Sequence, residues 1–224
     1  MMPTLRRTLS ALMTLSALSV AAQAQYLKTH GASLSVGGTG QFSTILESNN
    51  GYVPFTYPIQ NGSETTSIFN QQQYTTWSAG FVSSLQFHPA PWAGIALNYG
   101  FTHYQERFVY QYATNSSTGQ TNVPTDAHEF TGGYLLHPKH IPFQPYVEVG
   151  GGAIDFTPSN ASNQIRGAGL LETGFDLPIK NEHIGFRVSG RSLYYRSPNF
   201  YNAAASTRSW RVTEEPAVSA FYRF

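Results

Sequence analysis

From residue 32 onward the chain alternates apolar and polar residues with a period of two, which turns successive side chains to opposite faces of an extended strand. Segment 32–42 sets Leu34, Val36 and Phe42 against Ser33, Ser35, Thr39 and Gln41. Segment 75–87 aligns Trp77, Ala79, Phe81, Leu85 and Phe87, and 93–106 aligns Ile95, Leu97, Tyr99 and Phe101. The same rule runs through 126–136 (Phe130, Tyr134, Leu136), 144–154 (Val147, Val149, Ala153) and 165–177 (Leu171, Phe175, Leu177). It continues in 184–195 (Ile184, Phe186, Val188, Tyr194) and 210–224 (Trp210, Val212, Val218, Ala220, Tyr222, Phe224). Eight strands are predicted, each at least as long as the roughly 9–11 residues a tilted strand needs to cross a hydrocarbon layer.

The connections alternate in length. Those at 88–92, 137–142 and 178–183 are short and carry Pro89, Pro91, Pro138, Pro142 and Pro178, which end strands and shape turns. Those at 43–74, 107–125, 155–164 and 196–209 are mostly longer and rich in Asn, Ser, Thr, Gln and Tyr. Short turns at one end and long polar loops at the other describe a closed up-and-down barrel in a membrane, with both termini at the short-turn end. Aromatic residues reinforce this: Phe42, Trp77, Phe101, Phe130, Tyr194 and Trp210 fall near the long-loop ends, and Phe87, Tyr134, Phe175, Phe186, Tyr222 and Phe224 near the short-turn ends. Two such rings are the girdles of a membrane barrel.

Composition agrees with this picture. Charged residues are 11% of the chain and aromatic residues 14%, against about a quarter charged in an ordinary globular protein. Mean hydropathy is only −0.27, so the apolar residues must be arranged by pattern and not by long runs. The exception lies at the start, where Arg6 and Arg7 precede an uncharged stretch from Leu9 to Ala22 and a small-residue site at Ala22-Gln23-Ala24. That is the layout of a secretory signal peptide spanning 1–24, leaving 25–224 as one barrel domain. Without Arg6 and Arg7 the formal balance falls from +1 to −1, which suggests no nucleic-acid partner. There is no cysteine, so neither disulfides nor thiolate metal sites are available.

The chain ends on Val218, Ala220, Tyr222 and Phe224 in alternation, with an aromatic last residue and another two before it. This resembles the terminal signal read by the outer membrane barrel-assembly machinery. Together with the stretch Pro145-Tyr146-Val147-Glu148-Val149-Gly150-Gly151-Gly152, residues 25–224 resemble the small OmpA/OmpX-type outer membrane β-barrel family. The resemblance implies an all-β, eight-stranded antiparallel transmembrane barrel in the outer membrane of a Gram-negative-type bacterium, with periplasmic termini. It also implies lipopolysaccharide and other outer membrane lipids as surroundings, and no peptidoglycan-binding domain is expected.

The face opposite the apolar one carries Gln86, Asn98, Glu129, Glu148, Glu172, Arg187 and Arg191, and an eight-stranded barrel is just wide enough for such side chains to fill. With a loop centred on Asn160, Glu148 falls opposite Glu172. With a turn centred near Lys180 and Asn181, Glu172 falls opposite Ser189, leaving Arg187 and Arg191 on the diagonals. Glu148, Glu172, Arg187 and Arg191 are therefore expected to form a buried ionic cluster that closes the lumen, because an unpaired buried charge is costly.

Catalytic chemistry has little support. There is no Gly-rich phosphate loop, nucleophile elbow or metal motif, so no cofactor or metal is expected. There is no His-X-Ser pair of the kind borne by outer membrane lipid A deacylases. His103 and His128 are expected outward near the long-loop end, and His88, His137, His140 and His183 in short turns. The segment 43–74, with Tyr52, Phe55, Tyr57, Ile59, Ile68 and Phe69 among polar residues, is the candidate surface for a ligand. The expected role is a non-enzymatic, envelope-structural or surface-contact barrel. The alternatives are a narrow solute pore or an enzyme acting on lipid A or phospholipid.

Overall fold

A computed structural model describes residues 31–45, 53–59, 62–90, 92–112, 118–138, 143–180, 183–200 and 209–224. The expected signal peptide lies outside them, as do Tyr52, His30 and His140. Ten strands are present: β1 (Ala32–Ile45), β2 (Val53–Ile59), β3 (Gly62–Thr75), β4 (Ser78–Ala90), β5 (Ala93–Tyr112), β6 (Thr118–Leu136), β7 (Pro145–Pro158), β8 (Gln164–Lys180), β9 (Ile184–Arg196) and β10 (Trp210–Arg223). Eight of them, β1 and β4 to β10, pair antiparallel in a closed ring. The first and last strands close it: Ser33 lies opposite Arg223 and Ile45 opposite Arg211, and the Phe224 amide donates to the Ala32 carbonyl at 3.0 Å. Closure leaves no strand edge within the ring, which any barrel in hydrocarbon requires.

The pleat sorts the side chains as the alternation predicts. Leu34, Val36, Leu97, Val149, Leu171, Phe186 and Val218 are exposed on the outer wall, with Trp77, Phe130, Tyr134, Tyr194, Trp210 and Tyr222. Tyr194 and Trp210 stack at 4.8 Å between centroids, and Phe42 meets Trp77 edge-on at 5.5 Å. Trp77 is 82% exposed, one of a contiguous set of large apolar side chains on the outer wall, and so wide an exposed apolar surface marks a contact with lipid or another partner.

Two stretches expected as loops are strands. Residues 107–112 and 118–125 continue β5 and β6 past the ring, with Gln105 opposite Pro124 and Gln111 opposite Thr118. Inside, the alternation persists through Tyr104, Glu106 and Phe108, while outside it turns polar at His103, Gln105 and Arg107. The apolar signal stopped where the apolar surroundings stop, and the strand did not. Likewise much of 43–74 is a hairpin, β2–β3, with Val53 opposite Ile68 and Ile59 opposite Gly62. β3 prolongs the line of β4 along β5, pairing Gln73 with Phe108 and Thr75 with Glu106. A four-stranded sheet, β2-β3-β5-β6, therefore stands beyond the ring at the long-loop end.

Candidate functional site

The lumen is filled along its height. At the short-turn end Arg187 donates from Nε to Asp176 Oδ1 at 2.7 Å and from Nη2 to Asp176 Oδ2 at 3.0 Å. The same Nη2 donates to Gln86 Oε1 at 2.7 Å, Nη1 reaches Ser35 Oγ at 3.4 Å, and Arg223 Nη2 also donates to Asp176 at 2.7 Å. Arg187 lies 5.0 Å from the Tyr146 ring centroid and 5.8 Å from that of Phe221, so its flat face is covered by aromatic carbon.

In the middle of the barrel three carboxylates share one guanidinium. Arg191 contacts Glu215 at 2.9 Å, Glu129 at 3.2 Å and Glu172 at 3.2 Å, all buried. Neutral donors reach the carboxylates as well: Tyr146 Oη donates to Glu172, Asn98 Nδ2 to Glu148 at 2.8 Å and Gln41 Nε2 to Glu215 at 3.4 Å. Glycine makes the room. A Cβ on Gly100 would come within 3.0 Å of Glu129 Oε2, and one on Gly133 within 2.8 Å of Glu148 Cγ.

Above this, the filling becomes largely apolar. Tyr104, Phe108, Ala127, Ile154, Phe156, Leu170, Leu193, Tyr195 and Phe200 form one buried cluster. It encloses the ion pair of Glu106 with both terminal nitrogens of Arg211, and Gln73 also donates to Glu106 at 2.8 Å. Phe200 comes from the connection between β9 and β10 and turns into the lumen against Phe108, 6.2 Å between centroids. Its φ of 48° is unusual for a residue with a Cβ, and polar contacts hold it there. Gln164 Oε1 accepts from the amides of Asn199 (2.8 Å) and Phe200 (3.2 Å), and Gln73 Nε2 donates to the Pro198 carbonyl at 2.6 Å.

The four residues expected as one cluster are all inside the lumen, but they divide between two groups. Glu148 does lie opposite Glu172. Glu172, however, lies opposite Arg191 and not Ser189, so the β8–β9 register differs by two residues from the expected one. Lys180 pairs with Ile184, so the turn is centred later than expected, and the one-residue slip between Pro178 and Lys180 offsets only part of that difference. This register sets Arg187 opposite Asp176. Besides these polar groups the bore holds the apolar cluster, which the sequence analysis did not name. Glu106, Arg211 and Glu215, which sequence reasoning passed over, sit on the inward parity of their strands and were visible by that signal.

The histidines fall into three places. His103 Nδ1 donates to Asp126 Oδ1 at 2.6 Å on the exposed outer face, and His128 Nδ1 pairs with Tyr99 Oη at 3.0 Å beside it. His183 Nδ1 pairs with the Arg223 carbonyl at 3.0 Å. His88 and His137 meet at the short-turn mouth. On the opposite wall from His103, Ser192 Oγ donates to Glu214 Oε2 at 2.6 Å. The His–Asp pair spans β5–β6 and the Ser–Glu pair spans β9–β10, so they do not form one constellation. Among the described residues no three His, Cys, Asp or Glu side chains are grouped to hold a metal.

This closed ring of antiparallel strands is similar to solved outer membrane and surface proteins. Neisserial surface protein A matches with a TM-score of 0.52 at 10% identity, over 86% of this chain and 97% of that one. OprG of Pseudomonas aeruginosa matches with a TM-score of 0.49 at 12% identity, over 87% and 96%. Ail, the attachment invasion locus protein of Yersinia pestis, matches with a TM-score of 0.43 at 10% identity, over 87% and 99%. The fold is that of the OmpA/OmpX-type small outer membrane barrels. No protein-family model and no curated protein sequence matches the chain.

Proposed function

We propose that this protein is a non-enzymatic outer membrane barrel that conducts no solute and makes surface contacts through the sheet β2-β3-β5-β6. The carrying observation is the sealed lumen: buried Arg187, Arg191 and Arg211 with their carboxylates, topped by the apolar cluster and Phe200, fill the bore. In this reading the apolar outer wall and its aromatic girdles face lipid and lipopolysaccharide, the short turns and both termini lie in the periplasm, and the long loops face outward. Val218, Ala220, Tyr222 and Phe224 serve as the assembly signal. The segment 43–74, largely the β2–β3 hairpin, offers a ligand surface whose neighbours Gln105, Gln120, Thr121 and Asn122 are exposed and uncharged. Such a surface favours hydrogen-bonded contact over charge-driven binding.

The test is planar-bilayer recording of the purified protein, together with membrane fractionation and heat-dependent gel migration. The expected outcome is an outer membrane, heat-modifiable protein with no conductance steps. Stable steps would replace this reading with a pore. Altered lipid A or phospholipid masses in expressing cells would replace it with an enzyme.

A further inference from the structure

His88 and His137 are 49 residues apart in sequence and belong to the ends of different strands, yet their Nε2 atoms are 3.0 Å apart. Each backbone is pinned: the His88 amide donates to the Gly31 carbonyl and the His137 amide to the Trp92 carbonyl, both at 2.9 Å. The His88 ring is pinned a second time, because its Nδ1 also faces the Gly31 carbonyl at 2.9 Å. A carbonyl only accepts, so Nδ1 carries the His88 proton and Nε2 presents a lone pair. His137 Nε2–H is then the donor between the rings.

The rings do not meet as in a straight hydrogen bond. Collinear N–H and lone pair at this separation would put the ring centroids about 5.3 Å apart. They are 4.8 Å apart, with planes at 64°, so the rings meet at an angle and not head-on. A metal ion about 2.05 Å from both nitrogens would see them at about 94° and would set in-plane rings about 4.7 Å apart. That angle suits two neighbouring corners of a tetragonal site, the preference of Cu2+ and Ni2+ with imidazole, more than the wider tetrahedral angle of Zn2+.

We propose that His88 and His137 form a two-histidine site for a divalent transition metal, Cu2+ foremost, at the short-turn mouth of the lumen. The Gly31 carbonyl acts as the outer partner that fixes the tautomer and aim of His88. On binding, the His137 proton moves from Nε2 to Nδ1, so the ring remains neutral and no net proton is lost. Water completes the coordination, since no third protein ligand is grouped with the pair among the described residues. The site is therefore exchangeable. The nearby charges belong to Asp176 on β8, Arg187 on β9 and Arg223 on β10, and both arginines are already bound to that aspartate.

The experiment uses tag-free protein folded in detergent micelles and titrated with Cu2+ alone, read by calorimetry and by electron paramagnetic resonance. One equivalent should bind, giving a tetragonal spectrum with coupling to two nitrogens. H88N and H137N should each weaken binding by about tenfold or more, while H103N on the outer wall leaves it unchanged. Heat-modifiable migration reports whether each variant is folded. If either asparagine variant fails to fold, nitrogen coupling in the wild-type spectrum and a rise of its melting temperature with Cu2+ carry the test. No stoichiometric binding by the wild type overturns the proposal. So does equal binding by the folded H88N and H137N variants, or loss of binding in H103N.

Discussion

Arg191 and Leu193 stand two residues apart on the same face of β9, and they close the lumen by different means. Arg191 is one cation among carboxylates from β6, β8 and β10. Leu193 is one of several carbon surfaces in the cluster with Ile154, Phe156 and Leu170. An ionic filling depends on each partner, because removing one leaves the others charged in a low-dielectric interior. An apolar filling depends on volume, and its neighbours tolerate a replacement that occupies the same space. The barrel uses the first where the bore is surrounded on all sides by apolar wall. It uses the second at the end where the β9–β10 connection folds in.

The largest expected effect breaks the ionic half. Arg191→Ala strands the carboxylates of Glu129, Glu172 and Glu215 and should cost about 3–5 kcal/mol, read from urea unfolding in micelles. Arg187→Ala should follow it, since Asp176 retains Arg223. If Arg191→Ala unfolds at the wild-type urea concentration, the central carboxylates do not depend on it. Next comes the apolar half. Leu193→Ala should cost about 2–5 kcal/mol through the cavity it opens, whereas Leu193→Met should cost less than about 1.5 kcal/mol. Equal losses for the two substitutions would mean that shape, and not volume, governs this end.

The smallest effect is at the short-turn mouth. Burial, and then the neighbouring His88, push the His137 pKa down to about 4, so the folded protein holds its ring neutral. Unfolded, the same ring titrates near about 6.5. The folded value is the lower one, so the contribution is complete above about pH 6.5 and is lost as pH falls from there toward 4. The ring is partly open to solvent, and screening keeps the loss small. His137→Asn should flatten the melting-temperature profile in that window; an unchanged profile would remove His137 from the acid response.

Much of the fold was legible because a two-residue period is a local property. All eight ring strands were placed by it, and the inward parity of Glu148, Glu172, Arg187 and Arg191 followed at once. The strand ends at Tyr112 and Thr118 were not legible, because the apolar half of the signal reports the surroundings of the outer wall and not hydrogen bonding. The β2–β3 hairpin was missed because the sequence of β3 is mostly polar on both faces, while that of β2, though it alternates Val53, Phe55, Tyr57 and Ile59, carries Pro54 and Pro58.

Sequence alone placed Glu148, Glu172, Arg187 and Arg191 in the bore, since each side chain's face is set by its own place in the strand. It could not settle which of them meet. That depends on how far each strand slides against its neighbour, and the β8–β9 register, two residues from the expected one, set Arg187 opposite Asp176 and Arg191 opposite Glu172. It depends also on ring closure, which brings Glu215 from the last strand to Arg191 and aligns Gln41 of the first strand with Glu215. The meeting of His88 with His137 belongs to the same class, because two short turns become neighbours only when the sheet between them curves. Alternation is written residue by residue, while register and closure are sums over the whole ring.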